Sequence, residues 1–119
     1  MNINNKIFIP LIDNGNPFKS MTETMKYVGY SMKQYPSGCI MALKKVKDYD
    51  LLVPGDDYVI EVNGQQCMPC QIQMIKPGYI TAYSTNIETY PDGQLMYPPL
   101  DIPIFSIKHI YRVLGYLTD

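Results

Sequence analysis

Residues 58–75 constrain the fold of this chain more than any other stretch. Tyr58-Val59-Ile60-Glu61-Val62 is built from β-branched and aromatic residues, which pack well on a pleated surface. Asn63-Gly64 follows at once. That dipeptide is the strongest short hairpin signal, because both residues tolerate the positive φ that a tight hairpin turn demands. A return strand is expected from about Gln66 to Ile75. Pro69 falls inside it and lacks an N–H, which predicts an edge, a bulge or a late start.

The rest of the chain reads in the same register of short strands and turns. Phe8-Ile9-Pro10-Leu11-Ile12 is a short apolar run that ends at the turn signal Asp13-Asn14-Gly15-Asn16-Pro17. Residues 20–28 read as a helical turn or an extended linker, with Ser20 and Glu23 spaced as a short capping box. Tyr35-Pro36-Ser37-Gly38 is a turn, and Cys39-Ile40-Met41-Ala42-Leu43 after it reads as a buried strand. Val53-Pro54-Gly55-Asp56 and Lys76-Pro77-Gly78 are further turns. Tyr79-Ile80-Thr81-Ala82-Tyr83 is another strand, Tyr90 to Pro99 a loop region, and Ile107 to Leu117 a long final strand. Eleven Tyr, ten Pro and eight Gly agree with strands broken by turns. The expected class is mainly β, as a barrel or sandwich.

The 119 residues fit one domain spanning 1–119, and 46% hydrophobic residues allow a packed interior. Ten Lys+Arg against eleven Asp+Glu leave a net charge of −1, which offers no footprint for direct nucleic-acid binding. No apolar run reaches membrane-spanning length, and the start Met1-Asn2-Ile3-Asn4-Asn5-Lys6 lacks a secretory apolar region. Three cysteines form no disulfide framework. A cytoplasmic location, without membrane partners, is the expectation.

The order of several short motifs is more specific than any one of them. Ser31-Met32, a turn ending at Gly38, an apolar strand, and then Pro54-Gly55-Asp56 before Tyr58-Val59-Ile60 resemble the C-terminal self-cleavage domain of LexA-type and phage-type repressors. Ser84-Thr85-Asn86, Tyr97-Pro98-Pro99, Ile102-Pro103 and Ile110-Tyr111-Arg112-Val113-Leu114-Gly115 are similar to the end of that domain. The resemblance covers roughly residues 7–117. It implies the strongly curved β-sheets of the LexA C-terminal or signal-peptidase-like fold. It also implies a homodimer, with Tyr111 to Leu117 as a candidate seam or an internal strand, and a role in transcriptional repression of the SOS-response type. The family's helix-turn-helix domain has no counterpart in these residues, so either the DNA reader is absent, with any DNA contact made by a domain or partner in trans, or the sequence is a fragment of a longer repressor.

In that family a serine attacks a bond in its own upstream linker, and a buried, neutral lysine takes the serine's proton. Ser31 matches the nucleophile. The return strand, Cys67-Met68-Pro69-Cys70-Gln71-Ile72-Gln73-Met74-Ile75, contains no lysine. The lysine position falls on Gln73, or on Gln71 after a register slip of two, and both share one face of a strand. An amide hydrogen-bonds a hydroxyl but does not act as a base near neutral pH. Lys76 lies past the strand on the opposite parity, and Lys44 and Lys45 read as solvated. The Ala-Gly or Cys-Gly bond that the family cuts has only Asn14-Gly15 as a counterpart, which also reads as a plain turn. The family's aspartate after the first glycine is replaced by Cys39.

Two other readings compete. Cys67-Met68-Pro69-Cys70 is a Cys-x-x-Cys motif, but no helical segment follows it as thioredoxin-like chemistry requires. Cys39, Cys67, Cys70 and His109 supply four side chains of zinc-ligand type. Cysteines three apart on a regular strand point to opposite faces, however, so they converge only if Pro69 makes a knuckle. The expected function is a LexA-like regulatory and dimerisation domain without cofactor or peptidase activity. The alternatives are an active serine autopeptidase with a relocated lysine, and a small zinc module.

Overall fold

The computed structural model describes residues 2–3, 6–10, 20–63 and 68–118. Among these, nine strands form one antiparallel sheet: β1 (Asn2–Ile3), β2 (Lys6–Pro10), β3 (Glu23–Lys26), β4 (Ile40–Lys45), β5 (Asp57–Val62), β6 (Met68–Lys76), β7 (Tyr79–Tyr83), β8 (Leu100–Pro103) and β9 (Ile107–Thr118). Two short 3-10 turns, Tyr49–Leu51 and Ile104–Ser106, are the helical pieces described. The mainly β expectation holds. The sheet is not strongly curled, in contrast to the expected strongly curved sheets.

β9 organises the sheet. Its twelve residues span about 40 Å at the usual rise per residue, long enough to take two partners in succession along one edge. β5 pairs with its first half, Tyr58 opposite Arg112 and Ile60 opposite Ile110. β2 pairs with its end, Phe8 opposite Leu117. β4 lies along the other edge, from Ile40 opposite Leu117 to Lys45 opposite Tyr111. Residues 111–117 are therefore an interior strand. Among the described residues β4 runs along one edge of this stretch, and β5 and β2 pair with the other except at Val113 and Leu114, which leaves no continuous backbone edge for an edge-to-edge dimer seam.

Alternation along these strands builds two apolar clusters. Tyr58, Ile60, Cys70, Ile72, Ile80 and Ile110 form one. Val59, Leu43, Met41, Tyr111 and Val113, on the opposite parity of the same strands, form the other. The second is covered by residues 27–39, which contribute Tyr27, Met32, Tyr35 and Cys39.

Three local expectations change. Residues 23–26 are strand, paired Glu23 to Leu43 and Lys26 to Ile40, so Glu23 caps no helix. Leu100–Pro103, just past the expected loop region and not read as a strand, is strand β8 against β7. A two-residue turn on Asn63-Gly64 would pair Ile60 with Cys67. Ile60 instead pairs with Met68. Gly64 and the three residues after it lie outside the described residues.

Candidate functional site

Ser31 stands at the rim of a cavity of about 450 Å³ that the strand lengths create. β6 extends from Met68, but β7 reaches only to the level of Gln71, where it ends at Tyr83. Met68, Pro69 and Cys70 are thus paired with β5 on one side and open on the other. Pro69 fits such a one-sided position because it has no N–H to offer a second neighbour. The open stretch forms one wall. Residues 25–31 and Tyr97-Pro98 form others.

The loop that carries Ser31 is wound around one phenol. Tyr27 is buried, and its hydroxyl accepts a hydrogen bond from the Met32 N–H at 3.0 Å. The same hydroxyl lies 3.3 Å from Ser31 Oγ. Gly38 closes the loop from below: its N–H donates to the Tyr27 carbonyl at 2.6 Å, with a φ of 94° that an L side chain rarely adopts. From across the sheet, Asn86 clamps the loop. Its backbone N–H donates to the Ser31 carbonyl at 2.9 Å, and its side-chain amide donates to the Tyr30 carbonyl at 2.7 Å. Thr85 Oγ1 accepts from the Lys33 N–H at 2.8 Å. The Ser31 backbone is therefore held on both sides by groups distant in the chain.

The two glutamines expected opposite Ser31 are committed elsewhere. Gln71 Nε2 donates to Asp57 Oδ1 at 3.0 Å. Gln73 is the extra residue of a bulge in β6, and its amide donates to Gln71 Oε1 at 3.3 Å. The two side chains share a side, as strand alternation expects, but among the described residues neither hydrogen-bonds the Ser31 hydroxyl. Asp57 is the centre of this second group. It also accepts from Gln34 Nε2 at 3.0 Å and from the Tyr35 hydroxyl. Burial, and then the hydrogen bond and charge of Asp57, keep the Tyr35 phenol protonated far above the usual range.

No lysine amine hydrogen-bonds Ser31 among the described residues. Lys76 pairs with Asp101 at 3.3 Å, and Lys44 and Lys45 line a different cavity. Lys26, which the sequence offered no reason to choose, lines the Ser31 cavity but is solvent-exposed. A serine beside a phenol has a hydrogen-bond partner, whereas nucleophilic attack needs a base to take its proton.

The remaining expected site residues fall apart in space. Asn14, Gly15 and Cys67 lie outside the described residues. Cys39 and Cys70 are both buried but belong to different apolar clusters. Burial, with a smaller contribution from the Asp57 charge, pushes the Cys70 thiol up to about 12, which disfavours the thiolate that binds zinc. His109 sits on β9 opposite Glu61, its ring 6.0 Å from that of Tyr111. Among the described residues no group of three His, Cys, Asp or Glu side chains is placed to hold a metal ion. No helix among them is long and apolar enough to cross a membrane.

Tyr27, Asp57 and Asn86 are the residues that sequence reasoning missed. Tyr27 and Asp57 carry no local signature. Asn86 belonged to a motif of the resemblance but had no role assigned. Compared with known proteins, the chain matches no family model, no curated protein and no solved structure.

Proposed function

We propose that this chain is a LexA-like regulatory and dimerisation domain of the transcriptional-repressor type that no longer cleaves itself. The finer fold assignment to the LexA C-terminal type is part of that proposal. The observation that carries it is the partnering around Ser31: the hydroxyl meets the Tyr27 hydroxyl, while Gln71 and Gln73, at the lysine position, bind Asp57 and each other. A serine in that setting retains the place of a nucleophile without its base.

Dimerisation is the second part of the proposal. Val28, Tyr30 and Ile87 leave an apolar surface exposed, with Asn86, next to Ile87, bonded to the Tyr30 carbonyl. Sedimentation over a wide concentration range is expected to show a dimer. A monomer at all concentrations removes that part.

The catalytic part is tested by incubating the purified chain at raised pH, where a lysine base would be most active. The fragments are analysed by mass spectrometry, beside labelling with a fluorophosphonate. Neither cleavage nor labelling is expected. Cleavage that Ser31→Ala abolishes overturns the reading. It would favour an active autopeptidase, and loss of that cleavage in Lys26→Gln would name the base.

A further inference from the structure

A second cavity, on another part of the sheet, collects positive charge. Its volume is about 530 Å³, and Lys44, Lys45, Lys47 and Arg112 line it. Those are four of the ten basic residues in a chain whose net charge is −1. The register explains how they meet. Lys44 on β4 is directly opposite Arg112 on β9, and Arg112 is opposite Tyr58 on β5. Like charges directly opposite on neighbouring strands repel. Asp56 relieves one of them, through Arg112 Nη2 to Asp56 Oδ2 at 2.8 Å. Asp48 is the acid in the lining, and its Oδ1 accepts from the Asp50 N–H at 3.0 Å. Among the described residues none of the three lysines pairs with a carboxylate. The buried Leu114 and Tyr58 give the cavity an apolar floor, and Leu51 adds an exposed apolar side chain to the lining.

We infer that this cavity binds a small organic phosphate monoester. The four basic side chains of the lining outnumber Asp48, Asp50 and Asp56 beside them, the three lysines are unpaired among the described residues, and a phosphate monoester carries about −1.5 to −2 at neutral pH, against −1 for a carboxylate. Ammonium groups and an arginine fork are the usual donors to such oxygens. The apolar floor accepts the organic body, and the volume falls in the small-molecule range of about 300–1,000 Å³. A concave cavity of this size suits a small ligand rather than a duplex, whose phosphates require a basic stripe. The inference is independent of the Ser31 site and of its reading.

The test is a titration of the labelled full chain with phenyl phosphate, benzoate, inorganic phosphate and a short DNA duplex, followed by amide chemical shifts and thermal melting. Phenyl phosphate is expected to move the amides of Thr22, Lys44 to Lys47 and Arg112 saturably and to raise the melting temperature. Benzoate and inorganic phosphate are expected to bind about tenfold more weakly, the effect of losing one charge-assisted contact or the apolar body. Lys44→Gln is expected to leave the free protein equally or more stable, since it removes a like-charge pair, and to weaken phenyl phosphate about tenfold. Equal binding of benzoate, no saturable shift, displacement of phenyl phosphate by lower concentrations of duplex, or an unchanged affinity in Lys44→Gln each overturns the inference.

Discussion

Asp57 ties the segment carrying Ser31 to the hairpin of β5 and β6, and its removal should be felt mainly through Tyr35. Tyr35 is only 3% exposed, and its hydroxyl donates to Asp57. Asp57→Ala leaves that buried donor without its acceptor, at a cost of about 3 kcal/mol including the lost charged bond. Gln34, which is exposed, and Gln71, which is half-buried, lose less than the buried Tyr35. For a chain of this length about 3 kcal/mol lowers the melting temperature by about 12 °C. Tyr35→Phe alone should cost about 1 kcal/mol, since Asp57 keeps two amide donors. In the double variant the orphaned hydroxyl is gone, so the total should be about 2 kcal/mol rather than the sum of the two. Urea and thermal unfolding of the four proteins measure that coupling. The pH dependence gives a second reading. The folded-state pKa of Tyr35 is raised, so its contribution is intact below the ordinary phenol value of about 10 and is lost as pH rises past it. Tyr35→Phe should flatten the alkaline fall in stability. Additive single costs, or an unchanged alkaline limb, refute the reasoning.

Other substitutions probe separate parts of the molecule. Ile110 is fully buried where β9 meets β5, so Ile110→Ala should cost about 2–5 kcal/mol in urea unfolding. Asn86→Ala should cost about 2 kcal/mol and speed amide exchange of Met32 and its neighbours, because it frees the Tyr30 carbonyl and the Glu88 N–H. Cys70 should react with a thiol reagent at pH 8 only at the rate of unfolding. Because its folded pKa is raised to about 12 from an ordinary 9, stability should be intact below about pH 9 and decline from there to about pH 12. Cys70→Ala should lessen that decline.

Much of the strand inventory was legible because it rests on local chemistry. Tyr79 to Tyr83 is strand over the expected residues, and Ile107 to Leu117 differs from β9 by one residue. Both runs are rich in β-branched or aromatic residues and are bounded by turns. Residues 23–26 were ambiguous for a physical reason. Glu23-Thr24-Met25-Lys26 has one half-buried side chain and three exposed ones, so no alternation marks it, and only pairing with β4 makes it extended. Leu100–Pro103 was hidden by the prolines around it, and pairing with β7 supplies what its propensity lacks.

The sequence by itself determined that this chain forms strands joined by tight turns, because alternation and turn chemistry act over a few residues. The resemblance to LexA-type domains added the expectation of a nucleophile's place for Ser31 and of a lysine's place for Gln73 or Gln71. Only the tertiary structure decided that β9 takes three partners, that Gln71 answers Asp57, and that Ser31 rests beside Tyr27 under the clamp of Asn86. The Asn86–Tyr30 contact joins residues 56 apart in the chain. Such contacts depend on how the strands stack and where each one ends, and no local pattern of residues encodes that.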